Sequence, residues 1–251
     1  MTAIAEFVAE IRKVNEIVFF TGAGISTESG VPDFRSPGGI WTKYTPVYFS
    51  DFVNSEAARV RYWRMKKESY ELYKNVQPNI AHYSIRRFED KGRLWGLITQ
   101  NVDGLHGLAG VPQEKIVELH GTDRKVCCLS CGECLDASDV YELIVGDFKP
   151  PACAQCGGLL KSATISFGQA MPVEAMQRAR TLSRTSKIFI VIGSSLQVQP
   201  AASFPVLAKQ NGALLAIVNR EVTPQDTLAD FRFTGAIGDF FRELNPLLAD
   251  D

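Results

Sequence analysis

The chain has 251 residues, 45% apolar and 22% charged, a globular composition that excludes a disordered tail, a collagen and a coiled coil. Its 27 basic and 28 acidic residues leave a formal charge of −1, so no bulk attraction to nucleic acid or an anionic membrane is expected. The scarce residues are more informative: three histidines (His82, His106, His120) and six cysteines, all between Cys127 and Cys156.

The first residues carry Glu6, Glu10 and Glu16, which interrupt any signal-peptide core, and they lack the Arg-rich, acid-free look of a transit peptide. No apolar run reaches the ~18 residues of a membrane span. A cytoplasmic protein with reduced thiols is expected.

Residues 2–14 place Ile4, Phe7, Val8, Ile11 and Val14 at helical spacing. Residues 17–20 form a short β-rich apolar run that stops at Thr21-Gly22. Similar buried-strand patterns occupy 94–98, 188–192 and 214–218, with a weaker one at 116–119. Helical patterns fall at 80–89, 173–182 and 201–210, and 237–248 reads as a closing helix. Strands alternating with helices predict an α/β fold with a mostly parallel sheet covered on both faces. Two stretches break the alternation. Residues 34–77 begin as a Pro/Gly loop and continue as an aromatic, basic helical segment; residues 122–164 hold every cysteine. Both read as insertions that together build a smaller module.

The first strand runs into Gly22-Ala23-Gly24 and a Ser/Thr-rich helix start. Such a turn lets backbone approach a pyrophosphate and offers N–H donors. The third glycine is Gly30, however, so the spacing is GxGx5G. No acid ends the next strand about 20 residues on, as the dehydrogenase fingerprint requires. A tight structural turn is the competing reading of this motif.

The cysteines read VCCLSCGEC over 126–134, then Cys153-Ala-Gln-Cys156. Two Cys-x-x-Cys pairs about twenty residues apart suit a tetrahedral Zn²⁺. Cys128/Cys131 and Cys131/Cys134 both fit the first pair. Cys128/Cys131 is preferred because Gly132 then follows it as Gly157 follows Cys156. Four thiolates leave no open position, so the zinc would be structural, one per chain. A redox pair or ordinary buried cysteines are the alternatives. Cys127 and Cys134 are expected to be bystanders.

The second strand ends in Gln100, Asn101 and Asp103, the next in His120-Gly121, and two others in Gly193-Ser194-Ser195 and Asn219-Arg220. Ligands of open α/β sheets bind beyond the carboxyl ends of strands, so four polar ends suggest a nucleotide cleft. His82 lies in an amphipathic helix and reads as structural, and His106 as a cap or core residue. His120, at a strand end, is the general-base candidate.

Taken in order, GAGISTESGVPDFRS, TQNVDGLH, ELHG, the paired Cys-x-x-Cys, GSSLQVQP and IVNR resemble the sirtuins, NAD-dependent protein lysine deacylases. The likeness spans nearly the whole chain, which resembles a minimal core similar to bacterial members. It implies a Rossmann-type NAD-binding domain from 1–35, 78–121 and 165–251, and a small helical, zinc-binding domain from 36–77 and 122–164. By resemblance, Gly22, Ala23 and Gly24 line the pyrophosphate, and Asp33, Phe34 and Arg35 belong to the cofactor loop. Gln100 and Asn101 face the ribose, and Asp103 holds the nicotinamide carboxamide. Gly193, Ser194, Ser195 and Asn219 contact the phosphate and adenosine half. Ile165, Phe167 and Val198 form the acyl-lysine tunnel, and Cys128, Cys131, Cys153 and Cys156 hold the metal.

The chemistry implied is capture of C1′ of NAD by the acyl-lysine oxygen as nicotinamide leaves. His120 then draws a proton from the ribose hydroxyls, and the products are free lysine and O-acyl-ADP-ribose. A protein ADP-ribosyltransferase is the alternative, and a nucleotide-sensing module a third. The sequence departs from the family's RPDVVFFGE pattern with KSATISFGQ at 161–169. It also carries Met65 where succinyl-preferring members carry Arg after a Tyr, so a neutral acyl group, acetyl first, is expected. The expected partners are acyl-lysine proteins or peptides as substrates of a monomeric enzyme, with no nucleic acid or membrane.

Overall fold

The computed structural model describes residues 2–33 and 39–248. Nine strands are described: β1 (Ile17–Thr21), β2 (Leu94–Thr99), β3 (Ile116–Glu118), β4 (Gly121–Cys128), β5 (Cys134–Asp136), β6 (Leu160–Thr164), β7 (Ile188–Ile192), β8 (Leu214–Val218) and β9 (Phe231–Phe233). The helices are α1 (Ala3–Ile11), α2 (Ile40–Lys43), α3 (Phe49–Asn54), α4 (Glu56–Tyr73), α5 (Ile80–Asp90), α6 (Leu105–Leu108), α7 (Ala137–Tyr141), α8 (Val173–Thr185), α9 (Ser203–Gln210) and α10 (Ile237–Leu247). Among the described residues, no helix is long and apolar enough to cross a membrane.

Six strands form one parallel sheet in the order β3-β2-β1-β7-β8-β9. The order runs outward in both directions from the β1/β7 pair, which is the strand order of a Rossmann sheet with its switch point at that pair. The runs IVFFT and IFIVI are buried at every residue, as strands covered on both faces must be. Side chains alternate between the faces. Ile17, Phe19, Ile190 and Ile192 pack with Phe7, Ile85, Phe88 and Phe241 of α1, α5 and α10. Val18, Phe20, Phe189 and Val191 pack with Ala179, Phe204 and Ala208 of α8 and α9.

The second sheet is antiparallel, β5-β4-β6. It shares a separate core with α3, α4 and α7 in which Phe52, Trp63, Val126, Tyr141 and Leu160 meet Cys128 and Cys153. Helix α4 starts on Ser55, whose hydroxyl accepts the Ala58 N–H at 3.2 Å. The aromatic, basic stretch is therefore two helices, α3 and α4, broken at Ser55.

Two sequence expectations change here. The expectation of uniformly reduced thiols does not hold, because Cys127 and Cys134, directly paired across β4 and β5, are joined by a disulfide. The side chains meet because both residues stand at one register position of a short hairpin. The segment after Gly22 is a seven-residue 3₁₀ helix, Ala23–Ser29, and not the start of an α-helix. Gly30 closes it in the left-handed region at φ +92°. That explains the long glycine spacing: Gly30 ends the helix, where the dehydrogenase motif would use a glycine for helix–sheet packing.

Candidate functional site

The loops after β1 and β7 touch at the switch point. A Cβ on Gly22 would stand 2.7 Å from the Gly193 carbonyl oxygen, one on Gly24 2.8 Å from Gly193 Cα, and one on Gly193 2.4 Å from the Ile25 nitrogen. Three glycines therefore let two backbone turns lie in contact, and Gly24 N–H donates to the Gly193 carbonyl at 2.9 Å. Gly22 N–H donates to Ile192 at 3.0 Å. Two of the three N–H groups expected to face a phosphate are thus occupied by holding the turns together.

These turns form one wall of a cavity of about 380 Å³. Gly22, Ala23, Gly24, Asp33, Gln100, Asn101, His120, Gly193, Ser194, Ser195, Val198 and Asn219 all line it, drawn from the ends of five strands and their loops. Its volume falls within the ~300–1,000 Å³ usual for small-molecule sites. Arg220, named with Asn219 as a polar strand end, also lines it, and Thr27, Glu28, Glu221, Gly235 and Ile237 do so without having been singled out from sequence. Glu28 accepts the Gly238 N–H at 2.8 Å in the first turn of α10, which ties the 3₁₀ helix to that helix. The Ser/Thr/Glu character of residues 26–28 was the available signal. Phe34 and Arg35 lie outside the described residues.

A second cavity, about 320 Å³, opens on the other side of His120. Ile165, Phe167 and Val198 line it, together with Val47, Tyr62, Met65, Lys66 and Met171. Gln100, His120 and Val198 line both cavities. Tyr62 and Met65 come from one face of α4, where the sequence comparison had placed an acyl-reading position.

The polar residues are held by side-chain contacts. Gln100 donates from Nε2 to Ser194 Oγ at 2.8 Å, bridging the ends of β2 and β7. Ser26 Oγ donates to Asp103 Oδ2 at 2.7 Å and accepts from Asn101 Nδ2 at 3.2 Å. Asp103 Oδ1 accepts the Leu105 N–H at 2.9 Å, and Asp103 is 6% exposed. Asp103 lines neither cavity; its carboxylate stands behind Asn101 and Ser26.

His120 is the reactive-looking imidazole. Its Nδ1 lies 2.9 Å from the Gln100 carbonyl oxygen. A carbonyl only accepts, so Nδ1 carries the proton and Nε2 keeps a lone pair. Burial pulls this imidazole below its ordinary value, and the Gln100 carbonyl pulls the other way. The other two histidines are built in elsewhere. His82 completes a capping box at the start of α5 with Asn79. His106 Nε2 lies 3.0 Å from Thr21 Oγ1, which donates to Thr99 Oγ1 at 2.8 Å. Their rings stand 4.9 Å apart in the core. Burial takes His82 down to about 4 and His106 well below its usual value.

Beneath the second cavity, Asp123 is 2% exposed. It accepts from Lys66 at 3.0 Å and Tyr141 at 2.8 Å, and from Tyr73 and Ser162. Burial alone would raise its carboxyl; the Lys66 charge and the hydroxyls overcome that and hold it below the usual range. Lys161, 1% exposed, donates to the carbonyls of Ser162 and Thr164, and burial with the nearby Lys66 charge pulls it to about 7.

The four sulfurs of Cys128, Cys131, Cys153 and Cys156 lie within 4.8 Å of one another. Cys128 and Cys156 are 3.5 Å apart, and Cys131 and Cys153 3.7 Å. Zinc–thiolate bonds of ~2.3 Å at tetrahedral angles need sulfurs ~3.8 Å apart, so the cluster fits that ion. Cys134 is excluded from the set by its disulfide.

Comparison with known proteins agrees with this geometry. Residues 22–200 match the model of the Sir2 family. The chain is 46% identical over 229 residues to NAD-dependent protein deacetylase 1 of Bradyrhizobium diazoefficiens, covering 91% of this chain and 90% of that protein. A solved complex of Sir2 with a p53 peptide and NAD⁺ superposes with a TM-score of 0.87 at 32% identity, over 98% of each chain. A Sir2 variant with deacetylated p53 peptide and 3′-O-acetyl ADP-ribose gives a TM-score of 0.88 at 35% identity, over 96% of each.

Proposed function

The chain belongs to the Sir2 family, and on that premise we propose how its residues divide the work of an NAD-dependent protein lysine deacylase. The enzyme uses NAD to remove acyl groups, acetyl among them, from protein lysines. One observation carries the assignment of roles: His120 stands where two cavities meet, with Nδ1 tied to a backbone carbonyl and Nε2 left to accept a proton.

The first cavity would take NAD. Gly22, Ala23, Gly24 and Gly193 form the close-packed wall for the pyrophosphate, Ser194, Ser195 and Asn219 the adenosine side, and Gln100 and Asn101 the ribose side. Asp33, with Phe34 and Arg35, would belong to the loop over the nicotinamide end. Asp103 would act by fixing Asn101 through Ser26, and so shape the pocket for the carboxamide from behind it. The second cavity would take the acyl-lysine stem between Ile165, Phe167 and Val198. Bound NAD supplies an activated sugar carbon with a cationic leaving group. His120 Nε2 takes the ribose hydroxyl proton, and the apolar tunnel limits water until that proton has moved. The four-cysteine cluster would hold one zinc as structure, away from this chemistry. The domain division would fall at 77/78, 121/122 and 164/165, the 35/36 boundary lying outside the described residues, and a monomer acting on peptides, with no nucleic-acid role, is the simplest assembly.

The test is turnover of an acetyl-lysine peptide with NAD, followed by mass spectrometry of the nucleotide product. O-acyl-ADP-ribose with free lysine is expected. ADP-ribosylated protein as the main product would overturn the reading.

A further inference from the structure

Two of the six cysteines have no role in the site described, yet they flank the first metal-binding turn. Cys127 and Cys134 close a disulfide around a loop that contains both Cys128 and Cys131. The same loop reads Cys128-x-x-Cys131-x-x-Cys134, so an open Cys134 would make a second, overlapping ligand pair with Cys131. Cys134 is exposed and sits on β5, a three-residue edge strand exposed at every position. A small thiol can therefore reach it. Cys127, by contrast, is half-buried beside Cys128 on β4.

We propose that the Cys127–Cys134 disulfide is a thiol-sensitive guard on the zinc site, which keeps Cys134 from competing with Cys128 for the metal. The proposal rests on the four-cysteine cluster holding zinc. Opening proceeds by thiol–disulfide exchange. The sulfur of a low-molecular-weight thiol attacks Cys134, the S–S bond breaks, and Cys127 leaves and takes up a proton. A second thiol resolves the mixed disulfide, leaving Cys134 as a thiol and releasing the small-molecule disulfide. The protein gains two electrons and two protons, and two small thiols lose them. Once free, Cys134 would offer a fifth thiolate beside Cys131, so a zinc ion held by Cys128, Cys131, Cys153 and Cys156 would have a competing ligand and would be given up more readily.

The experiment follows zinc release from the zinc-loaded enzyme to the chromogenic chelator 4-(2-pyridylazo)resorcinol. Protein treated with glutathione disulfide is compared with protein reduced by a phosphine. Release at least ~10-fold faster after reduction is expected, the low end of what outer-shell changes do to metal sites. In phosphine, Cys134→Ser should release slowly, because the competitor is gone, and Cys127→Ser as fast as reduced wild type, because it remains. Equal release from oxidised and reduced wild type overturns the proposal without relying on any variant. So does a mass spectrum in which Cys127 and Cys134 stay alkylatable after glutathione disulfide. A wild-type chain that binds no zinc overturns the metal reading and the proposal with it, whereas one zinc per chain with equal release rates overturns the proposal alone.

Discussion

The Nδ1 of His120 stands 2.9 Å from the carbonyl oxygen of Gln100, and this contact decides which ring nitrogen is left for proton transfer. His120→Ala should lower kcat/KM for acetyl-peptide turnover at least ~100-fold, the low end for loss of a general base. Because burial lowers this imidazole's pKa, the neutral base persists into mildly acid solution. Activity should fall as pH drops through a midpoint below the ordinary ~6.5 for histidine. A pH profile of kcat/KM with its acid limb centred above 7 would contradict the assignment.

Asp123 neutralises Lys66 under the second cavity, with Lys66 at 3.0 Å and its side chain only 11% exposed. Wild-type enzyme should therefore turn over succinyl-lysine peptide no faster than acetyl-lysine peptide. In Asp123→Asn the ammonium loses its counter-charge. Stability should drop by about 3–5 kcal/mol, as when one member of a buried pair is removed. Urea unfolding measures the loss, and the succinyl-to-acetyl rate ratio of the surviving folded enzyme should rise.

Gly24→Ala places a methyl 2.8 Å from Gly193 Cα, where only backbone can yield. The two turns must separate, at a cost of ~1–3 kcal/mol typical of overpacking. Calorimetry of NAD binding should record weaker affinity, while metal content stays unchanged.

Zinc content near one per chain is expected by elemental analysis. Cys128→Ser should lose the metal and expose the second sheet to limited proteolysis, since Cys128 and Cys153 also belong to its core. An unaltered digestion pattern in a metal-free variant would show that the ion is dispensable to the fold.

Acid should destabilise the protein through its paired core histidines. His82 titrates near 4 when folded and His106 well below its usual value. Unfolded chains bind these protons at ~6.5, so stability is full above that pH and is lost as pH falls toward 4. His82 alone accounts for ~2 kcal/mol at pH 5. Urea midpoints between pH 7.5 and 5 measure this, and His82→Asn should flatten the curve.

The parallel sheet was legible because its strands are continuous apolar runs, and periodicity reports burial directly. Strand order was not, since β1 pairs with β2 and β7 across long intervals that no local pattern encodes. His120 was legible by scarcity, but its tautomer depends on a carbonyl twenty residues away. The clustering of Cys128, Cys131, Cys153 and Cys156 followed from Cys-x-x-Cys spacing. The Cys127–Cys134 bond did not, because β5 is too short to announce itself and pairing depends on hairpin register. Asp123 escaped notice because nothing in a sequence distinguishes a carboxylate with four side-chain partners from an exposed one.

Gly121 lies between the two sheets at φ +72°, and a Cβ there would overlap the Ala163 carbonyl oxygen at 2.0 Å. Beside it, Ile165 N–H donates to the His120 carbonyl at 2.9 Å. The chain thus passes twice between the cores at one spot, as a double strap and not a swivel. Strand β4 runs from this strap, through a break in its pairing with β6 between Gly121 and Val126, to Cys128, so one chain segment links His120 to the cysteine turn. Damage to the cysteine turn should accordingly reach His120 as a misaimed imidazole. The expected mark is a lower kcat with NAD affinity largely preserved, the opposite of what altering the glycine wall would do.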